Sequence, residues 1–256
     1  MNINALLLLE NVQLKWLSKF KDEKQLSIIL KTSPHILWFM KNKCPEIAEW
    51  LDNVLLKYKN DKILIGEELR KIEIAFLESL EDWIIYVTEP EAYDKQSFNR
   101  WDDNELLELI DFSNKTVLDI GAGTGSQTFR IAPLAKTVYA VEPIGNLREY
   151  IKNKSKQSGL ENIYTIDGLI TDIPFPENFA DVLVTGHVFG DEPIKEYNEM
   201  NRVVKPGGML ILIPGNIDRD NDTHNYLLSK GFSWSSFEEP GPDFGSGWRR
   251  KYWKIK

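Results

Sequence analysis

The stretch TVLDIGAGTGSQT, residues 116–128, decides how the chain is read. A short β-favouring run, Thr116 to Ile120, ends beside a carboxylate, Asp119, and passes straight into Gly121, Gly123 and Gly125. A glycine-rich turn between a strand and a helix lets a ligand approach the backbone, and the unpaired N–H groups of the helix start attract negative charge. A dinucleotide pyrophosphate set against those amides would be repelled by an adjacent acid, and G-x-G-x-G is not the G-x-G-x-x-G spacing. The combination suits a ligand that brings an ammonium to the acid and a carboxylate to the backbone donors.

Moving outward, the next β-like run, TVYAVE, ends in Glu142, which can accept two hydrogen bonds from a ribose diol. A third run ends in Asp167-Gly168, where an acid can accept from an adenine amino group and the glycine lets the base lie against the chain, with Ile144 and Leu169 as apolar walls. A nucleoside carrying a zwitterionic tail and a sulfonium fits all three positions. S-adenosylmethionine is such a molecule.

The same periodicities predict strands at Thr116–Ile120, Thr137–Glu142, Asn162–Ile166, Asp181–Thr185 and Met209–Pro214, alternating with helical segments as βαβ units of a parallel sheet do. An amphipathic helix is expected from Asp191 to Val204, ended by Lys205-Pro206-Gly207-Gly208. Pro133 falls inside the expected first helix, where it should kink or shorten it. After a helix near Thr223–Lys230, the aromatic runs FSWSSF and WRRKYWKIK read as an antiparallel hairpin at the sheet edge, joined by a Pro/Gly loop. Residues 1–90 differ, because their apolar positions recur at helical spacing, as at Leu69, Ile72, Phe76, Leu80, Trp83 and Val87, with Pro34 and Pro45 placed to start helices. Trp16, Trp38, Trp50 and Trp83 are expected to pack in that region's core.

With 256 residues, 42% of them hydrophobic, the chain can bury a sizeable core. The net charge of -8, with no run of five basic residues, argues against a nucleic-acid partner. The single cysteine, Cys44, excludes an intrachain disulfide and fits a reducing compartment. No signal-peptide pattern or membrane-length apolar run is present, so a cytoplasmic protein with no membrane partner is expected. His187, Asp191 and His224 do not show the spacing of a metal site, and no metal is expected.

VLDIGAGTG, YAVEP, DGLITDIPFPENFADVLVTGHVF and RVVKPGGMLIL, in that order, resemble the successive motifs of the class I S-adenosylmethionine-dependent methyltransferases from Thr116 to the C-terminus. The resemblance implies an α/β Rossmann-like sheet of seven strands, mostly parallel with an antiparallel C-terminal edge hairpin, as a domain over 91–256 behind an all-helical region over 1–90. It implies a cofactor site with Asp119, Gly121, Gly123 and Gly125 at the methionyl moiety, Glu142 on the ribose and Asp167 with Gly168 at adenine, and with Ala122, Pro143, Ile144 and Leu169 as further cofactor-binding residues. Thr185 and Gly186 are expected at the methyl group, with S-adenosylhomocysteine as product. The helical region is expected to cap the acceptor site or to make a homodimer.

Methyl transfer from a sulfonium is an in-line displacement that asks mainly for orientation and exclusion of water. Where the acceptor must lose a proton, His187 is the candidate base, oriented by Asp191 four residues on. Arg100, Trp101, Trp248, Tyr252 and Trp253 are candidates for an acceptor pocket, although packing accounts for them as well. TGHV stands where base-methylating relatives carry an Asn/Asp-Pro-Pro-aromatic motif, which leaves a small-molecule acceptor first. The rival readings are a non-catalytic S-adenosylmethionine-binding sensor or partner subunit, and a nucleotide-dependent oxidoreductase.

Overall fold

The computed structural model describes residues 2–215, 218–239 and 247–256. The chain divides into two compact units, Met1–Pro90 and Glu91–Lys256.

The first unit is helical. A 3-10 turn, Ile3–Leu8, precedes α1 (Asn11–Phe20), α2 (Glu23–Thr32), α3 (Pro34–Lys43), α4 (Ala48–Lys57), α5 (Gly66–Glu78) and α6 (Glu81–Thr88). Pro34 occupies the first position of α3, where its missing N–H costs nothing, and Pro45 opens a 3-10 turn leading into α4. The pattern after Gly66, which reads as one continuous helix, is two, because Ser79 turns its hydroxyl onto the Phe76 carbonyl at 2.7 Å and the chain bends there. Leu6, Leu14, Leu26, Ile36, Leu51, Phe76 and Leu80 share one core. Trp16 meets Trp83 edge to face at 5.5 Å, and Trp50 packs on the same core. Trp38 does not, being 68% exposed.

The second unit opens with α7 (Pro90–Asp94) and α8 (Asn104–Leu107), then builds a seven-stranded sheet. Its strands are β1 (Thr116–Ile120), β2 (Thr137–Val141), β3 (Ile163–Ile166), β4 (Ala180–Gly186), β5 (Val204–Ile213), β6 (Ser233–Glu238) and β7 (Trp248–Ile255). They lie in the order β3-β2-β1-β4-β5-β7-β6, and only β7 runs against the rest. Between them come α9 (Ser126–Ile131), α10 (Gly145–Ser158), α11 (Pro193–Val203) and α12 (Asp222–Ser229). The apolar strands are buried on both faces, as parallel strands under helices must be. Leu118, Ile120, Leu183, Leu210 and Leu212 join one core, while the alternate residues Val117, Val182, Val184, Met209 and Ile211 join the other.

At Pro133 the structure shows the shortening rather than the kink, since α9 ends two residues earlier at Ile131. Lys205-Pro206-Gly207-Gly208 is not a helix terminator outside the sheet but an irregular start to β5, whose ladder with β4 slips between Ala180 and Val182. Gly207 and Gly208 exchange backbone hydrogen bonds of 2.9 Å with Lys256, so the C-terminus completes that strand. The terminal hairpin places β7 inside the sheet with β6 at its edge, and the Pro/Gly loop between them lies over 240–246, outside the described residues.

The interior position of β7 explains its buried charges. Arg249 pairs with Glu239 at 2.8 Å, Arg250 with Asp218 and Asp220 at 2.8 Å each, and Lys251 with Glu105. Each cation therefore keeps a partner where water is excluded.

Candidate active site

In sheets of this kind, ligands bind outside the carboxyl ends of the strands where the strand order reverses. Here that place lies between β1 and β4, since the chain runs outward through β2 and β3 on one side and through β5 on the other. A narrow cleft opens there, with a cavity volume of about 30 Å³, well below ligand-pocket size. Gly121, Ala122, Gly123, Thr124, Ser126 and Gln127 line it from the turn after β1, Gly186 and His187 from the end of β4, and Tyr93, Phe98, Asn99 and Trp101 from the segment before α8.

The turn is a sequence of left-handed glycines, Gly121 at φ 69°, Gly123 at 56° and Gly125 at 88°. Two of them also lack room for a side chain. A Cβ on Gly121 would stand 2.5 Å from a Val188 methyl, and one on Gly125 2.8 Å from the Phe129 ring. The turn is fixed to the sheet by Gly121 N–H donating to the Val141 carbonyl at 2.8 Å.

Two carboxylates stand beneath it. Asp119 is fully buried, and its Oδ2 accepts from the Thr128 hydroxyl at 2.5 Å, so the acid steadies the first turn of α9. Its Oδ1 has no hydrogen-bond partner. Burial pushes this carboxyl up to about 6, against the opposing pull of Thr128. Glu142 accepts from Gly123 N–H through Oε2 and from Ile144 N–H through Oε1, both at 2.9 Å. It ties the glycine turn to the end of β2. Burial pushes it up to about 7, with the two backbone donors opposing.

The remaining sequence candidates distribute unevenly. Thr185 is buried with an unpartnered hydroxyl, as is Thr124 in the turn itself. Ile144 is buried and Pro143 half-buried beside Glu142. Asp167 is exposed and lies 3.3 Å from Arg148, Leu169 is exposed too, and Gly168 packs against Pro174 and Val141. None of these three lines the cleft.

His187 lines it, but Asp191 does not orient it. Asp191 is exposed in the turn before α11 and makes no ion pair with the ring, whereas His187 Nε2 lies 3.4 Å from Oε1 of Glu239. The correction has a simple cause: the chain turns away after His187, and the hairpin end returns a different acid. Of the other aromatic candidates, Trp101 lines the cleft yet is buried under the Arg130 guanidinium at 4.2 Å and against Phe237. Tyr252 is buried with His224, whose Nδ1 lies 3.1 Å from the tyrosine hydroxyl. Both serve packing.

Sequence reasoning missed the aromatic wall. Tyr93 and Phe98 stand 5.6 Å apart, and Phe98 lies 5.5 Å from the His187 ring. The segment is held by Asp94, which accepts from Tyr150 at 3.0 Å and Lys154 at 2.8 Å, and by Arg130, which donates to the Asn99 carbonyl at 2.6 Å. Aromatic residues recurring in an otherwise polar connector were the signal available.

The donor set fits S-adenosylmethionine: buried acids beneath a glycine turn, with an unpartnered Asp119 oxygen. Residues 118–212 match the family described as Methyltransferase domain. The chain is 30% identical over 121 residues to a demethylmenaquinone methyltransferase of Geobacillus sp. (strain WCH70), covering 44% of this chain and 51% of that protein. It is 30% identical over 147 residues to an uncharacterized methyltransferase of Oceanobacillus iheyensis, covering 53% and 65%. The matches thus span less than two thirds of either relative's length. In fold it is similar to a SAM dependent methyltransferase from Aquifex aeolicus, with a TM-score of 0.51, 21% identity, and coverage of 65% of this chain and 96% of that one. Over residues 118–212 the chain is thus similar to methyltransferase domains, and its seven-stranded sheet has the Rossmann-like methyltransferase fold.

Proposed function

We propose that the protein transfers a methyl group from S-adenosylmethionine to a small-molecule acceptor. The observation that carries this reading is the pair of buried acids, Asp119 and Glu142, under the left-handed glycine turn at the reversal of strand order. When bound, the cofactor supplies an electrophilic methyl group on a sulfonium whose departure leaves the electron pair on sulfur. Asp119 and the turn would hold the methionyl end, and Glu142, with a lone pair left on each oxygen, the ribose hydroxyls. Asp167, Gly168 and Leu169 would meet the adenine, and Thr185 with Gly186 would face the reacting methyl. Tyr93 and Phe98 cover the turn and exclude water from the transfer.

The name of the Geobacillus relative supports a small organic acceptor, and the net charge of -8 weighs against nucleic acid. Among the described residues no helix is long and apolar enough to cross a membrane. A cytoplasmic location is part of this proposal, as is a role for residues 1–90 as an acceptor-site cap or a dimer surface, which sedimentation of the whole chain separates. The strained backbone of His187, at φ 59°, favours an enzyme over a sensor that only binds the cofactor.

Calorimetric titration with S-adenosylhomocysteine tests the reading. Binding in the micromolar range is expected, weakened roughly tenfold or more in Asp119→Asn, with no heat from NADH. A folded protein that ignores S-adenosylhomocysteine, or takes up NADH instead, would sink it.

A further inference from the structure

Glu239 directly follows β6, and its side chain is 5% exposed. One carboxylate oxygen, Oε2, accepts from Arg249 Nε at 2.8 Å. The other, Oε1, is buried without a hydrogen-bond partner, yet lies 3.4 Å from Nε2 of His187. A buried carboxylate oxygen with nothing to accept is costly, and a ring shift of a few tenths of an ångström would close the gap to hydrogen-bond length. Hydrogen bonds of catalytic groups are often long before the reactants are in place.

The rest of the surroundings are built for that ring. His187 holds a left-handed backbone that a residue with a side chain seldom adopts, and its N–H still donates to the Ile213 carbonyl at 2.9 Å. Phe98 stands against the ring at 5.5 Å. Gly215, at φ 75°, passes beneath it, and a Cβ there would stand 2.4 Å from Nδ1. The absent side chain keeps a Cβ off Nδ1, and among the described residues no hydrogen bond reaches it. A pair made only to lock the hairpin would need Arg249 and Glu239, but neither a strained histidine nor a glycine shaped to its ring.

We propose that Glu239 is a positioning residue, which takes the His187 Nε2–H and so leaves the lone pair on Nδ1 to accept a proton from the methyl acceptor. This rests on the methyltransferase reading above. The acceptor's X–H bond breaks, its electron pair stays on X to attack the methyl carbon, and the proton goes to Nδ1. The resulting imidazolium faces a carboxylate already balanced by Arg249. The acceptors this serves are those that arrive protonated, such as phenols and thiols, rather than amines that arrive as free base.

The tautomer of His187 is the direct test, read by nitrogen-15 NMR at mildly alkaline pH, with the resonance assigned through His187→Gln. The wild-type ring is expected to carry its proton on Nε2. In Glu239→Gln, the amide oxygen stays on Arg249 and the amide NH2 turns to Nε2, which must then accept, so the proton moves to Nδ1. A wild-type ring protonated on Nδ1, or a variant that keeps the wild-type tautomer, overturns the proposal, and the wild-type spectrum alone decides if the variant does not fold. S-adenosylhomocysteine titration of the same wild-type sample separates the two claims, since absent binding would remove the methyltransferase reading whatever the tautomer.

Discussion

Gly121→Ala is expected to cost about 2–5 kcal/mol and to weaken S-adenosylhomocysteine binding by two orders of magnitude or so. Two separable causes add. The backbone sits at φ 69°, where any side chain is strained by about 1–2 kcal/mol. The new Cβ would also stand 2.5 Å from one Val188 methyl and 2.8 Å from the other. Val188 is β-branched and has little rotamer freedom with which to retreat. The turn must therefore move, and with it the Gly121 N–H that bonds to Val141. Pairing the substitution with Val188→Ala should recover the steric part and leave the backbone part, a coupling that urea denaturation and calorimetry on the four proteins would measure. Four proteins with additive effects, or a single variant that binds like wild type, would show that the turn is neither as tight nor as tied to the ligand as described.

The contrast with Gly186 sharpens that expectation. A Cβ there would meet the Gln127 amide nitrogen at 2.2 Å, but that atom is the end of a flexible side chain. Gly186 also lies in a strand with no positive φ. The two glycines line the same cleft and would respond differently.

The central strands were legible because each is a short apolar run closed by an acid or a glycine. Thr116–Ile120 coincides with β1 at both ends. What misled was punctuation. Pro206-Gly207-Gly208 has the composition of a terminator, yet here it is a bulged strand start whose partner, Lys256, lies at the far end of the chain. The unbroken apolar rhythm from Leu69 to Val87 concealed the bend at Ser79, since a helix can stop and restart in phase. The terminal charges concealed β7 as an interior strand, because their partners Glu239, Asp218, Asp220 and Glu105 come from three other places.

For the site, local sequence carries what a local turn determines and little more. The glycine turn and Glu142 lie in one βαβ unit, so residue type and spacing expose them. Tyr93, Phe98 and Glu239 reach the cleft or its histidine from either end of the domain, and only the assembled sheet brings them there. Asp191 illustrates the converse error: four residues from His187 is proximity in sequence, and the turn between them cancels it.

The second large effect concerns pH. Glu142 is raised from 4.5 to about 7 by burial, so in the free protein the folded state holds a proton that the unfolded state has already lost between those values. Stability should therefore fall as pH rises through that window, by up to about 3 kcal/mol once the carboxyl is ionised. A ligand whose ribose hydroxyls donate to the carboxylate favours the ionised form and must displace the proton to bind. Binding should release protons, and the dissociation constant for S-adenosylhomocysteine should tighten roughly 30-fold between about pH 5.5 and about pH 8 if Glu142 alone is coupled. Asp119, raised to about 6 by the same cause, would steepen the acid end of the curve. Calorimetry in buffers of different ionisation enthalpy counts the protons, and Glu142→Gln should flatten most of the dependence while keeping one acceptor for the Gly123 N–H. Proton uptake on binding, or an affinity indifferent to pH in the wild type, would mean that Glu142 only holds the glycine turn and never meets the ligand.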